Sequence, residues 1–467
     1  MVFTDVRGLK LTTSSSKAVE HFNDAIAANA EYRLIAVDHI QKAIEADPNF
    51  TYAHCVLGCF LMGAEVLAPE GAARACLEAA EATNIGAVTE RERASVAALR
   101  AWVEKRQDDA IAIWDQIMNE NPTDLFTLQL LHYRNFWLGN EKAIRDSVGR
   151  HFNRWSPDMP NYSNVLGMYC FGVNENGDHT RALELGRKAI DMNKDDLWAV
   201  HAVAHVLNDV SDQHAGISFM DQFDKEWSDR NAIREHLWWH EALFYWELAD
   251  FDHALKLYDE YFAKNITPFY LDVQNSASML WRFESVGIDV GNRWSILEEA
   301  ALKRVENRYI PFTDIHVAMI LGRNGNKSKL SKLIEGVRSD NGKAHNARLH
   351  AAAETDLGVC EAIEAYCSKD YARAVEKLIP IHGDNFRPLG ASNAQRDVLG
   401  LTLGIAALKS KDYGLARGIF SQRLEAKPGD QMTWLFYANA SEQAGDKDEA
   451  VRARARAASL PGSHLFS

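Results

Sequence analysis

Residues 36 to 48 read Ala36-Val-Asp-His-Ile40-Gln-Lys-Ala43-Ile-Glu-Ala-Asp-Pro48. An alanine is followed by a bulky residue at offset 4, a second small or apolar residue at offset 7 and a proline at offset 12. Ala110, Trp114, Ile117 and Pro122 repeat those offsets. So do Ala416, Phe420, Arg423 and Pro428, with Arg423 off-type, and, more loosely, Ala450, Arg454, Ala457 and Pro461. Weaker copies are Ala182, Gly186, Ala189 and Ala254, Tyr258, Tyr261. Offsets of four and seven return to one face of an α-helix. The small residue lets a partner helix approach closely, the bulky one fills the groove beside it, and proline closes the helix. From Ala416 to Ala450 is 34 residues.

Working outward, apolar residues recur at helical spacing nearly everywhere, and alternating strand-like runs are nearly absent. The chain has 467 residues with 47% apolar and 25% charged. That composition excludes disorder, collagen-like repeats and a small disulfide scaffold. At roughly 150 residues per domain the length suggests two to four domains, unless a repeat array overrides it. The net charge of −14, from 51 Lys+Arg and 65 Asp+Glu, argues against a nucleic-acid partner, because no basic run stands out to offset it. The six cysteines (Cys55, Cys59, Cys76, Cys170, Cys360 and Cys367) include no CxxC, so they read as buried thiols of a reducing compartment. No run of about 18 apolar residues occurs, and Met1–Lys10 has no signal-like apolar segment. The expected location is cytoplasmic, with no membrane partner.

The offsets resemble the tetratricopeptide repeat, two antiparallel helices per ~34 residues. Leu57-Gly58 and Leu403-Gly404 also stand at that family's Leu-Gly positions. The resemblance implies an all-α fold, a right-handed superhelix of helix-turn-helix repeats. The expected organisation is one continuous α-solenoid over 1–467. It has an extended start (1–16), repeats over 17–268, divergent helical pairs over 269–350 and further repeats over 351–467. Helices are expected at Asp272–Phe283, Arg293–Glu306 and Thr313–Gly322, and the tail after Pro461 as a frayed end. Four segments resemble one group within the superfamily, the tetratricopeptide repeat protein 38-like family. They are Trp198-Ala-Val-His201-Ala-Val-Ala-His205, His236-Leu-Trp-Trp-His240, Asp272 to Trp281, and Ser392-Asn-Ala-Gln-Arg-Asp397. That resemblance implies the superhelix and supplies no reaction. The chain departs from it at Ala391, where a second glycine is expected after Gly390.

In repeats of this kind, positions 2, 5, 9, 12 and 13 of a first helix line the concave surface. Counted from Ala182, these are Trp198, His201, His205, Asn208 and Asp209. His201 and His205 are i,i+4, on one helical face with Cβ atoms roughly 6 Å apart, a spacing that can chelate one divalent ion. His236 and His240 repeat the spacing 35 residues later. Their register is open: counting back from Ala254 gives positions 2 and 6, and counting on from Ala182 gives 6 and 10. The four histidines are therefore candidate metal ligands, for Zn, Fe or Mn, and candidate acid–base groups. The plainer alternative is buried histidines that hydrogen-bond their neighbours. No HExxH is present, so the metalloprotease arrangement is missing.

Asp314 and His316 open a later helix and are further catalytic candidates. His54, His132, Trp198, Asn208 and Trp239 are ligand-binding candidates, each with a core-packing alternative. Ser392 to Asp397 begins a helix after Pro388 and Gly390. Helix N-terminal amides with Asn393, Arg396 and Asp397 fit an anion site, or a capped start with structural salt bridges. Gly322-Arg-Asn-Gly-Asn-Lys lacks P-loop spacing, and no GxSxG occurs, so no nucleotide cofactor is expected. Two functions follow. One is a small-molecule enzyme, hydrolase- or lyase-like, with a His/Trp-lined pocket for an anionic ligand. The alternative is a scaffold binding peptide or protein partners.

Overall fold

The structure, a computed structural model, describes residues 1–64, 69–223, 227–344 and 346–461. The expected frayed tail after Pro461 lies outside them. Among the described residues are 24 α-helices, one two-stranded hairpin (Val2–Thr4 with Lys10–Thr12) and short 3-10 and π turns. The fold class is all-α, built of successive helix pairs joined by short turns.

The pairs follow from local chemistry. The second helix of many pairs opens on an aspartate: Asp178, Asp212, Asp250, Asp370, Asp412 and Asp446 each accept a hydrogen bond from the backbone N–H three residues on. Such caps contribute about 1 kcal/mol each. The residue before each aspartate lies in the left-handed region, with φ from 58° at Ser211 to 90° at Gly445. That conformation reverses the chain and aims the aspartate at the next helix. Four residues after the cap comes the small residue of the repeat. Ala182, Ala254, Ala374, Ala416 and Ala450 are all buried. Ile40, Trp114 and Phe420, one turn later, are buried too. The glycine of Leu403-Gly404 has the same purpose, since a Cβ there would meet the Phe420 ring at 2.6 Å.

The chain divides into two compact units. The first comprises Met1–Phe136, Asn140–Val203 and Glu226–Arg234. It holds the hairpin and the first pairs, pinned by the buried Arg91–Asp124 ion pair at 2.8 Å. The second comprises Trp137–Gly139, Ala204–Lys225 and Glu235–Ser467. The stretch 269–350 is helical there: Tyr270–Ser285, Arg293–Arg304, Pro311–Arg323 and Lys327–Asn341. Every residue from Tyr270 to Phe283 and from Phe312 to Leu321 is buried. A helix covered all round has no single apolar face, which is why these segments fit the repeat pattern poorly.

Seven helices that carry the polar interior are numbered here in chain order: α1 (Leu197–Asp209), α2 (Ile233–Glu247), α3 (Tyr270–Ser285), α4 (Pro311–Arg323), α5 (Ala347–Cys367), α6 (Asn393–Lys409) and α7 (Tyr413–Ala426). Among the described residues no helix is long and apolar enough to cross a membrane. The six cysteines are all free thiols.

Candidate functional site

Asp196 starts α1, accepting from the Ala199 N–H at 3.1 Å. Burial pushes its carboxyl up to about 7. His201 and His205 follow on one face of α1. The boundary between the two units falls after Val203, inside this continuous helix. α2 brings His236 and His240, with ring centroids 4.7 Å apart. His205 and His240 meet across the two helices at 4.3 Å. Within the second unit one nitrogen from each of His205, His236 and His240 lies within 4.8 Å of the others; His201 falls in the first unit. All four rings are buried, His205 and His240 completely.

α3 supports this group. The Nδ1 of His236 is 2.9 Å from the Asn275 carbonyl oxygen Oδ1, to which it donates. Trp239 stacks on His236 with ring planes 10° apart, and its Nε1 donates to Ser278 Oγ at 3.0 Å. The Arg282 guanidinium lies over the Trp239 ring. Burial lowers the His236 imidazole to about 4, against the Asn275 contact. Burial also lowers His205, helped by His236 and the Lys427 charge. Both rings are thus neutral at physiological pH, the form that ligates metals.

A second polar layer surrounds Asn208 and Glu247 at the ends of α1 and α2. Lys427 Nζ donates to Asn208 Oδ1 at 2.6 Å and to Glu247 Oε1 at 2.8 Å. Asn208 and Gln213 donate to the two oxygens of Glu247 at 3.2 and 2.9 Å. Beside this layer Arg423, on α7, pairs with Asp397 and Asp430. Burial works against the Asp397 charge, but Arg423, Lys427 and Arg282 outweigh it and hold the carboxyl below its usual range. Arg423, which broke the repeat pattern, does so because it serves these carboxylates.

Asn208 and His205 were expected on a ligand-facing surface. Within the second unit they are covered, because the turn carrying Lys427 and Gly429 lies against the end of α1. A Cβ on Gly429 would come 2.5 Å from the Ser211 carbonyl oxygen. Trp198 and His132 fall in the first unit. Trp198 stacks on Tyr32 at 5.5 Å and meets Phe171 and the His132 edge. His132 Nδ1 donates to the Ile144 carbonyl at 3.2 Å. A cavity of about 10 Å³ beside Trp198, Gln129 and Asn164 has room for a single water. His54 donates through Nε2 to the Pro48 carbonyl at 2.9 Å, which ties down the repeat's closing proline.

The remaining candidates stand apart from the four histidines. His316 donates through Nδ1 to the Phe312 carbonyl one turn back, at 2.6 Å. Asp314 meets Asp356 of α5. Burial and the neighbouring carboxyl push Asp314 well up, and burial raises Asp356 to about 8. The pair therefore retains a proton at neutral pH. Cys360 Sγ donates to Asp356 at 3.4 Å.

The start of α6 is capped, and Asp397, one turn in, pairs with Arg423. Ser392 caps the helix and Gln395 returns a hydrogen bond to it, a capping box. Arg396 donates to the Gly390 and Ala391 carbonyls and, at 2.8 Å, to Asn393 Oδ1. Its donors are directed inward to the turn it follows. The sequence reading missed Lys427, Glu247 and Asn275. Asn275 lies within the Asp272–Trp281 segment without a role assigned there, and each of the three meets its partners through contacts 39 to 219 residues apart in the chain.

No known protein-family profile matches the chain. Among solved structures, the human IFIT1 dimer with PPP-AAAA is 13% identical, with 96% of each chain covered and a TM-score of 0.41. The APC/C hetero-tetramer Cut9-Hcn1 is 16% identical over 73% of this chain and 67% of that one, with a TM-score of 0.34. Naa15/Naa10 bound to HypK-THB is 12% identical over 94% of this chain and 68% of that one, at 0.26. Similarity this distant transfers no residue role and no activity.

Proposed function

We propose that the chain is a non-catalytic tetratricopeptide-type scaffold that binds a peptide or protein partner through its helix pairs. The observation that carries this reading is the burial of the acid–base candidates. His201, His205, His236, His240, Asp314 and His316 are each at most 4% exposed. A general acid or base must come within hydrogen-bond reach of its substrate, and these groups are enclosed by their own helices. Repeat arrays of this kind commonly present their helix faces to partners. The −14 charge favours a protein partner over a nucleic acid. Within this reading we also infer membership of the tetratricopeptide repeat protein 38-like family, on the four segments quoted above. A cytoplasmic location is part of the same proposal, supported by six cysteines that are all free thiols.

The test has two arms. The purified chain and its His240→Ala variant are assayed against panels of carboxylic and phosphate esters and lyase substrates. No turnover by either is expected. Turnover that disappears in the variant would overturn the reading. In native cell extract, size-exclusion with cross-linking mass spectrometry should find the chain in a stoichiometric complex, cross-linked through exposed helix faces. A chain running only at the mass of the free protein would count against a scaffold.

A further inference from the structure

We propose that His21, Asp24 and His39 form a binding site for one divalent transition-metal ion, zinc foremost, which staples the first helix pair of the chain. The proposal goes beyond the scaffold reading and does not depend on it, because it concerns only two helices of the first unit.

The placement follows from the repeat. Helix Ser16–Ala30 packs on helix Ala36–Ala46, and each buries an apolar face, with Phe22 and Ile26 on the first and Ile40 and Ala43 on the second. His21 and His39 each precede one of those buried residues, so each leaves its helix about 100° round from the buried face and is half-buried at the rim of the pair. Asp24 follows His21 at i,i+3, a neighbour on the same helix surface. Its side chain is 59% exposed.

The geometry favours a shared ion over a plain ion pair. One nitrogen from each ring and one Asp24 oxygen lie within 4.8 Å of one another. His39 Nδ1 is 3.8 Å from Asp24 Oδ2, too far for a hydrogen bond. Ligands of one tetrahedral zinc, at about 2.0–2.2 Å from the ion, stand about 3.4 Å from one another. Surface histidines beside a carboxylate elsewhere in the chain close further: His253 Nδ1 is 2.7 Å from Asp250 Oδ2, and His350 Nε2 is 3.2 Å from Glu354 Oε1. The Nδ1 atoms of His21 and His39 are shielded from solvent, and among the described residues neither has a hydrogen-bond partner. A shielded polar atom without a partner is destabilising, and an ion held between the rings removes that penalty. The rings do not stack, with centroids 6.1 Å apart and planes tilted by 38°. Imidazole ligands favour zinc, copper, iron and nickel over magnesium or calcium. Three protein ligands leave one position for water, and the exposed Asp24 gives the ion a path from solvent.

The test uses the full chain without a histidine tag, treated with chelator and titrated with zinc by calorimetry. His21→Ala, Asp24→Ala and His39→Ala are titrated beside it. The readout is the difference from wild type, which holds whatever zinc other histidines take up. Each variant should bind about one equivalent less, or bind it more weakly by at least about 10- to 100-fold, the loss that follows removal of even an outer partner of a metal ligand. His253→Ala, whose ring is 62% exposed, should titrate as wild type does. Zinc should also raise the Tm of wild type more than that of His39→Ala. Should a histidine variant fail to fold, the exposed Asp24→Ala decides the outcome. Isotherms of Asp24→Ala and His39→Ala that superimpose on the wild type would overturn the proposal. A Tm loss in His39→Ala of the same size with and without zinc would also overturn it, as the mark of a plain ion pair.

Discussion

Two regions of the second unit solve the packing of helices in opposite ways. In the last two repeats, the second helices Tyr413–Ala426 and Lys447–Ser459 carry Ala416, Phe420, Ala450, Ala453 and Ala457 on their interior faces. Small residues let the helices approach, and burial of apolar surface holds them together. Around α1, α2 and α3 the interior instead carries three imidazoles (His205, His236 and His240), amides, carboxylates and a lysine. There each buried polar group must find a partner, because desolvation without one costs more than the contact returns. The first region tolerates its neighbours being ordinary. The second depends on residues far away in the chain, and a plain solenoid, whose repeats touch only adjacent repeats, would not need them.

The comparison can be broken most forcefully at Lys427. Lys427→Met leaves Glu247 buried without its cation. Losing one partner of a buried pair typically costs about 3–5 kcal/mol. Urea unfolding should show a loss of that size. A loss below about 1 kcal/mol, the range of surface pairs, would mean that the two regions are held in the same way.

The Asp314–Asp356 pair sharpens the contrast through pH. Both carboxyls are raised in the folded state by burial first; the Asp356 charge adds to the rise of Asp314, while hydrogen bonds to Cys360 and Asp314 hold Asp356 back to about 8. Between the ordinary carboxyl range and that value the folded chain binds more protons than the unfolded one. Stability from this pair is therefore present at low pH and lost as pH rises from about 5 to 8, by at most about 1.4 kcal/mol per pH unit for each proton. Asp356→Asn should flatten that part of the Tm profile. An unchanged slope in the variant would remove the pair from the account.

The smallest effect concerns the turn before α6. Ala391 has φ +67°, where a Cβ costs roughly 1–2 kcal/mol. Ala391→Gly relieves that strain at some cost in unfolded-state entropy, so a net gain of a few tenths to about 1 kcal/mol is expected. Destabilisation would show that the alanine methyl, which is buried, contributes more by packing than it costs in strain. Gly390 beside it has no such freedom. A Cβ there would sit 2.4 Å from the Trp137 carbonyl oxygen, within the same unit.

Much of this was legible in advance. The small-bulky-proline spacing at Ala36, Ala110 and Ala416 marked helices whose contact faces the structure buries. The histidine pairs were visible as two i,i+4 motifs one repeat apart. The aspartate four residues before Ala182, Ala254, Ala374, Ala416 and Ala450 was equally visible and would have placed each turn, had its capping role been weighed. Less was legible where both sides of a helix are covered. Asp272 to Phe283 carries polar residues on every face, and nothing local distinguishes Asn275, which supports a histidine, from Gln274, which bonds Thr313.

The sequence by itself determined the helices, their turns and the small residues at which they touch, because those depend on spacing within one or two turns of backbone. Only the tertiary structure decided that His205 and His240 meet ring to ring and that Lys427 seals Asn208 and Glu247 from across 219 and 180 residues. It also decided that residues expected to face a ligand face one another. The reason is physical: local spacing sets which way a side chain leaves its helix, but burial and charge pairing depend on what the rest of the chain brings against it.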